Sequence, residues 1–484
     1  WCDGRVATTG CSYTADTTLY SLVTAPAALK LGICRATDFD MYRHIFAPGG
    51  IVGDWFIKGW GMATAAQDAN DVTALFTSGY WPAPEDGADS VLGVRPVDED
   101  VDGSLLTDAV AEHQANFNLA AIKNDFKFIE NRMSETNRPI FDPAYKAAIE
   151  KSNIPLIIHC GWHDAGTQLG ALAMFTSFSN PIHLILGPWS HEGFCIVDPF
   201  QSGDGTSFDT VTREEVRTLT AKLLEDFFAR DSSEYDLDPI NGPTATPLRL
   251  VEYYTLGENR WKTTPVWPLP ETKIQRLYLA EDHQLVKNKT KLPEGSDHHR
   301  VDPDASTGLY NRWHAQSPDQ PIFFPDRQEA DKKLLVYDTP PLEKDIEITG
   351  HPVVYLYIRS TATDGQFFVY LETLDPDGRV RMLTEGQLRG LHHKVSDETP
   401  PYKMFGPYHS LKEKDAQYLI PGEVAQIAFD LLPISVLLKK GQRIRLAIAG
   451  ADKDTFPPIE GCESPEITVE RNSVYASYLD LPIV

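Results

Sequence analysis

Two runs of the chain are almost without polar positions: Ile154-Pro155-Leu156-Ile157-Ile158-His159-Cys160 and Pro181-Ile182-His183-Leu184-Ile185-Leu186. Continuous apolar character over that length, rich in β-branched residues, predicts strands buried on both faces of a parallel sheet. Shorter runs near the start read the same way: Arg5-Val6-Ala7-Thr8, led in by Asp3-Gly4, and Leu31-Gly32-Ile33-Cys34-Arg35-Ala36. Between them a helix is predicted from about Ala15, carrying Leu19, Tyr20, Leu22 and Val23. Another helix is predicted near Asp142, and a third from Thr212 to Arg230. The third opens on Thr212-Arg213-Glu214-Glu215, a capping-box pattern, and places Val216, Leu219, Leu223 and Phe227 on one stripe. Strands alternating with helices predict an α/β core.

The strand rhythm stops between Thr37 and about Phe141. That stretch is rich in Ala, Asp, Asn and aromatics, with helices such as Asp108–Lys127, and reads as a helical cap over the core. Asp231 to Pro247 is polar, with Pro and Gly, and reads as a linker. From about Leu248 the period becomes two. Arg443-Ile444-Arg445-Leu446-Ala447-Ile448 alternates charge with apolar residues, Pro352–Ile358 and Phe367–Leu371 are strand-like, and Asp375–Gly378 has turn chemistry. Many short strands without helices predict a jelly-roll β-sandwich. The expected organisation is a core at 1–36 and 142–246, a cap at 37–141 and a sandwich at 247–484.

The predicted strand ends carry the chemistry. Gly10-Cys11-Ser12-Tyr13 falls where the first strand turns into its helix, the setting of a nucleophilic serine. The triplet alone is weak, because Thr14 stands where the closing glycine of G-x-S-x-G would be. Asp164 follows the second strong strand in Gly161-Trp162-His163-Asp164-Ala165-Gly166. His191 follows the third in Gly187-Pro188-Trp189-Ser190-His191-Glu192-Gly193. Taken singly, each is more simply a turn or loop residue. Together they stand in the order Ser, Asp, His at neighbouring strand ends, as in α/β-hydrolases. In that arrangement His191 takes the proton of Ser12, and Asp164 holds the imidazole tautomer and stabilises the imidazolium. The backbone N–H of Tyr13 then supplies an oxyanion donor. His159 and His183 lie inside strand runs and read as core histidines. His163 is the remaining rival base.

Gly10-Cys11-Ser12-Tyr13, Gly161-Trp162-His163-Asp164 and Gly187-Pro188-Trp189-Ser190-His191 resemble the CocE/NonD hydrolases, a group that includes cocaine esterases and α-amino acid ester hydrolases and is related to X-Pro dipeptidyl peptidases. Leu335-Val336-Tyr337-Asp338-Thr339-Pro340-Pro341-Leu342, Ile348-Thr349-Gly350, Asp375-Pro376-Asp377-Gly378-Arg379 and Gly441-Gln442-Arg443-Ile444-Arg445-Leu446 are similar to the β-sandwich that accompanies that hydrolase. The resemblance covers nearly the whole chain. It implies Ser12 as nucleophile, Asp164 as orienting acid and His191 as base, with no organic cofactor and no metal. Two departures stand out. Ala15 occupies a position usually held by glycine. The family's second oxyanion donor, a tyrosine hydroxyl on an earlier loop, has no counterpart here.

An α/β-hydrolase sheet has several strands before its nucleophile, equivalent to on the order of 100 residues ahead of this start. The active molecule is therefore expected to contain that segment, in the same polypeptide or on another chain. A homo-oligomer is also open. Phe39, Tyr42, Trp55 and Trp60 of the cap are candidates for a substrate pocket, each against the simpler reading that it packs the cap. The expected activity is cleavage of a small ester or amide. The alternatives are an X-Pro dipeptidyl aminopeptidase, an α-amino ester or β-lactam acylase, and an inactive or split hydrolase-like binding protein.

Composition narrows the field. The chain has 484 residues and a formal net charge of −25, which disfavours nucleic acid and anionic membranes as partners. It has no apolar run long enough to span a bilayer. Acidic clusters such as Asp98-Glu99-Asp100 read as solvated surface, as do the pairs His298-His299 and His392-His393. The six cysteines (Cys2, Cys11, Cys34, Cys160, Cys195 and Cys462) show no CxxC pair. That disfavours a disulfide framework or structural zinc and fits a reducing, cytoplasmic compartment. Cys11, Cys34 and Cys160 are expected to be buried.

Overall fold

The computed structural model describes residues 2–81, 91–131, 139–193, 195–201, 249–316 and 322–484, with a few more between 209 and 225. The helix expected over Thr212–Arg230 and the linker after it lie largely outside the described residues.

Strands β1 (Val6–Cys11), β2 (Leu29–Arg35), β3 (Leu156–Gly161) and β4 (Ile182–Gly187) pair in that order, all parallel. Every residue of β3 and β4 is buried, which is why their sequences carry no alternation. One face packs Leu156, Ile158, Leu184 and Leu186 against helices, while Leu31, Ile33, Ile157 and Ile185 form a separate cluster. Each such side chain contributes about 1.5–3 kcal/mol by leaving water.

The sheet does not stop where the period changes. Arg249–Thr255 pairs parallel to β4, and Arg260–Thr264 pairs antiparallel beyond it. These two strands, which the alternating pattern assigns to the sandwich, complete the core sheet instead. Both strands are only partly covered, so they lack the continuous apolar run of β3 and β4, and periodicity alone does not assign them to the core.

Helix α1 (Tyr13–Thr24) starts directly at the end of β1 and buries Ala15, Thr18, Leu19 and Leu22. The cap contains α2 (Asp54–Asp68), α3 (Val72–Thr77) and α4 (Ser104–His113). The helix expected over Asp108–Lys127 is displaced and divided. It starts earlier because the Asp100 carboxylate accepts from the N–H groups of Leu105 (3.0 Å) and Leu106 (2.9 Å). Asp100 is thus a buried capping group rather than solvated surface. The helix ends before Asn116-Phe117-Asn118, where the Asn118 side chain takes the N–H of Ala121 (3.2 Å) and opens a 3-10 turn over Ala120–Lys127. Helix α5 (Pro143–Ser152) is capped by Asp142, and α6 (Thr167–Ser177) is buried nearly all round.

Thirteen strands from Lys273–Ala280 to Tyr478–Ile483 form the C-terminal β-rich region. Val353–Ser360 alternates half-buried and buried at every position, the expected period of two. This region is bonded to the core through Leu256 N–H to the Ser435 carbonyl (2.9 Å) and an ion pair between Lys262 and Glu347 (2.7 Å). His392 is a correction to the solvated reading. It is buried, with Nε2 3.0 Å from the Lys127 carbonyl. Cys34 and Cys160 are buried thiols, whereas Cys11 is only half-buried because β1 lies at the sheet edge.

Candidate active site

β1, β3 and β4 are parallel, so the residues that follow them leave the sheet along one edge. Ser12 caps α1 with φ 57° and ψ −135°, a conformation that costs a non-glycine residue about 1–3 kcal/mol. Its N–H is held by the Arg35 carbonyl at the end of β2 (3.0 Å). Gly10 makes the turn fit, because a Cβ there would lie 2.2 Å from the Thr14 carbonyl oxygen. Strain of this kind lifts a side chain away from its own sheet, the geometry a nucleophile requires.

The loops after β3 and β4 are bonded to each other. Trp162 N–H donates to the Gly187 carbonyl (2.9 Å) and His163 N–H to the Trp189 carbonyl (3.1 Å). The next residue, Asp164, is fully buried, and its Oδ1 lies 2.8 Å from Nδ1 of His191. A carboxylate on Nδ1 leaves Nε2 as the basic nitrogen, the tautomer needed to take a hydroxyl proton. Gly161 allows the loops this approach, since a Cβ would stand 2.1 Å from the Trp189 carbonyl oxygen. Gly161→Ala is expected to cost about 1–3 kcal/mol by overpacking and to lower kcat by spreading Asp164 from His191. Urea unfolding with steady-state kinetics checks both effects.

The rival histidines are buried bases of little use. Burial, with Arg35 nearby, pushes His159 down to about 3, and burial, with Arg312, pushes His163 well below the usual range. His183 faces Glu252 across the sheet at 3.3 Å.

The pocket candidates divide. Trp60 stands over Tyr13, the residue after Ser12, with ring centres 5.8 Å apart. Trp55 stacks on His314 at 4.1 Å. Phe39 and Tyr42 are both buried and line a cavity of about 150 Å³ together with Asp16, Asp38 and Phe141.

Three polar residues at this edge escape a reading by motif: Asp16, Asp38 and Gln316. Asp16 accepts from the Asp38 N–H and the Thr37 hydroxyl, both at 2.9 Å. Burial nevertheless pushes its carboxyl up to about 6, against those bonds and the charge of His191. Burial, then the neighbouring Asp16 and Asp164, pushes Asp38 well above the carboxylate range. Asp38 Oδ1 has no protein partner among the described residues. The Gln316 amide donates to Asp164 Oδ1, and its nitrogen lies 3.2 Å from His191 Nδ1. Spacing could not reveal it, because the residue arrives from 152 positions along the chain. Among the described residues no group of three or more His, Cys, Asp or Glu is placed to hold a metal ion.

A parallel core sheet with a strained serine turn and a buried carboxylate–imidazole pair at one edge defines the class of serine α/β-hydrolases. Residues 1–193 match the family model of the X-Pro dipeptidyl-peptidase (S15 family), and residues 243–479 match that of the X-Pro dipeptidyl-peptidase C-terminal non-catalytic domain. A protein of Mycobacterium bovis provisionally named a serine esterase is 36% identical over 507 aligned residues, covering 100% of this chain and 77% of its own. The cocaine esterase of a Rhodococcus species is 24% identical over 93% of this chain and 74% of its own. The solved structure of a CocE/NonD family hydrolase from Staphylococcus aureus shares the fold with a TM-score of 0.64 at 18% identity, covering 100% of this chain and 73% of that one. The chain belongs to the CocE/NonD family of serine hydrolases.

Proposed function

We propose that this protein hydrolyses carboxylic esters through an acyl-enzyme on Ser12, with His191 as base and Asp164 as its orienting acid. The hydrogen bond of 2.8 Å between His191 and Asp164, at the edge where Ser12 leaves the sheet, carries this reading. In the first half-reaction His191 takes the Ser12 proton as the oxygen attacks the ester carbonyl, then gives it to the leaving alcohol. The N–H of Tyr13 at the start of α1 supports the oxyanion. Water then repeats the sequence on the acyl-enzyme and releases the acid. A fluorophosphonate is expected to give one adduct, on Ser12, strongly weakened in His191→Ala. An adduct on another residue would overturn the assignment. Turnover of an X-Pro anilide without turnover of p-nitrophenyl esters would replace the esterase by a dipeptidyl peptidase.

A narrower reading, an ester of an α-amino acid, is supported by Asp16 and Asp38 beside the aromatic cavity. A carboxylate opposite an ammonium group attracts it only when ionised. Burial pushes the Asp16 carboxyl up to about 6, so KM for an α-amino ester is expected to fall as pH rises through that region. It should rise again as the ammonium loses its proton, near ~7.7–8.0 for an α-amino group. The desamino ester should show neither limb, and parallel pH profiles for the two esters would remove this reading.

β1 is the edge strand of its sheet, with Val6 44% exposed. We read that edge as the pairing site of a further strand-bearing segment that carries the second oxyanion donor. The thiols of Cys34 and Cys160, which stand in no disulfide, support a reducing compartment such as the cytoplasm. No helix among the described residues is long and apolar enough to cross a membrane.

A further inference from the structure

We propose that Gln316 is a positioning residue of the catalytic triad, delivered by the C-terminal region onto Asp164; this rests on the triad reading above. Gln316 is 3% exposed. A carboxylate has only acceptors, so the amide NH₂ of Gln316 must be the group that faces it. Two donors, Gln316 Nε2–H and His191 Nδ1–H, therefore converge on Oδ1 of Asp164, while Oδ2 has no protein partner among the described residues. The pair fixes the rotation of the carboxylate and so the plane of the imidazole.

The choice of a neutral donor matters. A cation in this position would oppose the imidazolium that forms when His191 takes the serine proton. The buried cation Arg312 is turned elsewhere: it donates to the Trp162 carbonyl (3.2 Å) and pairs with Glu385 (3.3 Å). Arg312 instead steadies the backbone that carries Asp164, because its carbonyl also accepts from Ala165 N–H (3.1 Å).

The loop bearing Gln316 is held from two sides. Asn311 bonds Thr455 (2.8 Å) in the β-rich region. On the cap side Trp55 stacks on His314, and the Tyr80 hydroxyl donates to the Gln316 carbonyl. The loop thus bridges cap and β-rich region and ends on the triad. Gln316 lies inside the stretch matched by a model described as non-catalytic. In this chain that stretch contributes a side chain to the catalytic geometry.

The test is Gln316→Met, which keeps the volume and removes the donor, with Gln316→Asn, whose amide is one methylene too short. Both are expected to lower kcat for a p-nitrophenyl ester about tenfold, the effect of one lost hydrogen bond. KM should stay within about twofold, since the amide is buried against Asp164. The acid limb of kcat/KM should move up by about half a pH unit, because Asp164 without its second donor attracts the imidazolium more strongly. Wild-type kcat and an unmoved acid limb in either folded variant would overturn the proposal. Fluorophosphonate labelling separates the two readings. Loss of Ser12 as the labelled residue in the parent enzyme sinks the triad, whereas normal labelling of Ser12 with unchanged variants sinks only the role of Gln316.

Discussion

Ser12→Ala is expected to lower kcat by about 10⁴–10⁶-fold, the range seen when a triad nucleophile is removed. Among the described residues Ser12 is the one serine or threonine with a positive φ, and it stands at the start of α1. Substrate affinity should change little, because the serine oxygen contributes mainly in the transition state. A second readout comes from the backbone. At φ 57° and ψ −135° alanine keeps the strain that serine bears, whereas glycine relieves it. Ser12→Gly should therefore be as inactive as Ser12→Ala yet more stable, by about 1 kcal/mol. Retention of more than a few per cent activity in either variant would move the nucleophile elsewhere.

The second large effect is expected for Asp164→Asn, a fall in kcat of about 10⁴-fold with the fold retained. The substitution is nearly isosteric in a fully buried site, so packing should survive. The chemistry should not. An amide presents one acceptor and one donor face, and two donors, from His191 and Gln316, already compete for a single oxygen. Where the amide NH₂ meets Nδ1, the imidazole must place its proton on Nε2, and the base toward Ser12 is gone. Steady-state kinetics with a thermal melt decides the matter. A variant within tenfold of the parent would mean that Asp164 does not orient the base.

Legibility in the sequence followed burial. β3 and β4 are covered on both faces, so their composition alone marks them, and the polar residues after each run mark the sheet edge. Arg249–Thr255 and Arg260–Thr264 are assigned to the wrong sheet for the converse reason: both are partly exposed, so neither carries the continuous apolar run that marks β3 and β4. The cap was the least legible. Its helix boundaries depend on local bonds from Asp100 and Asn118, and such bonds leave no periodic trace. Phe39, Tyr42, Trp55 and Trp60 are recognisable as aromatics in a cap. Whether each faces a cavity, another ring or the residue after Ser12 is a matter of packing.

The chain by itself determines that the two strong apolar runs become buried strands, and that a serine, an aspartate and a histidine each follow a strand end. Those properties depend on hydrophobic periodicity and on short turns, and both are local. Tertiary structure alone decides that Gln316 meets Asp164, that Asp16 and Asp38 share one buried corner, and that the core sheet takes up two strands after residue 248. These contacts join residues far apart in sequence. Their free energy comes from desolvated charge and close packing, which exist only once the surrounding elements have excluded water.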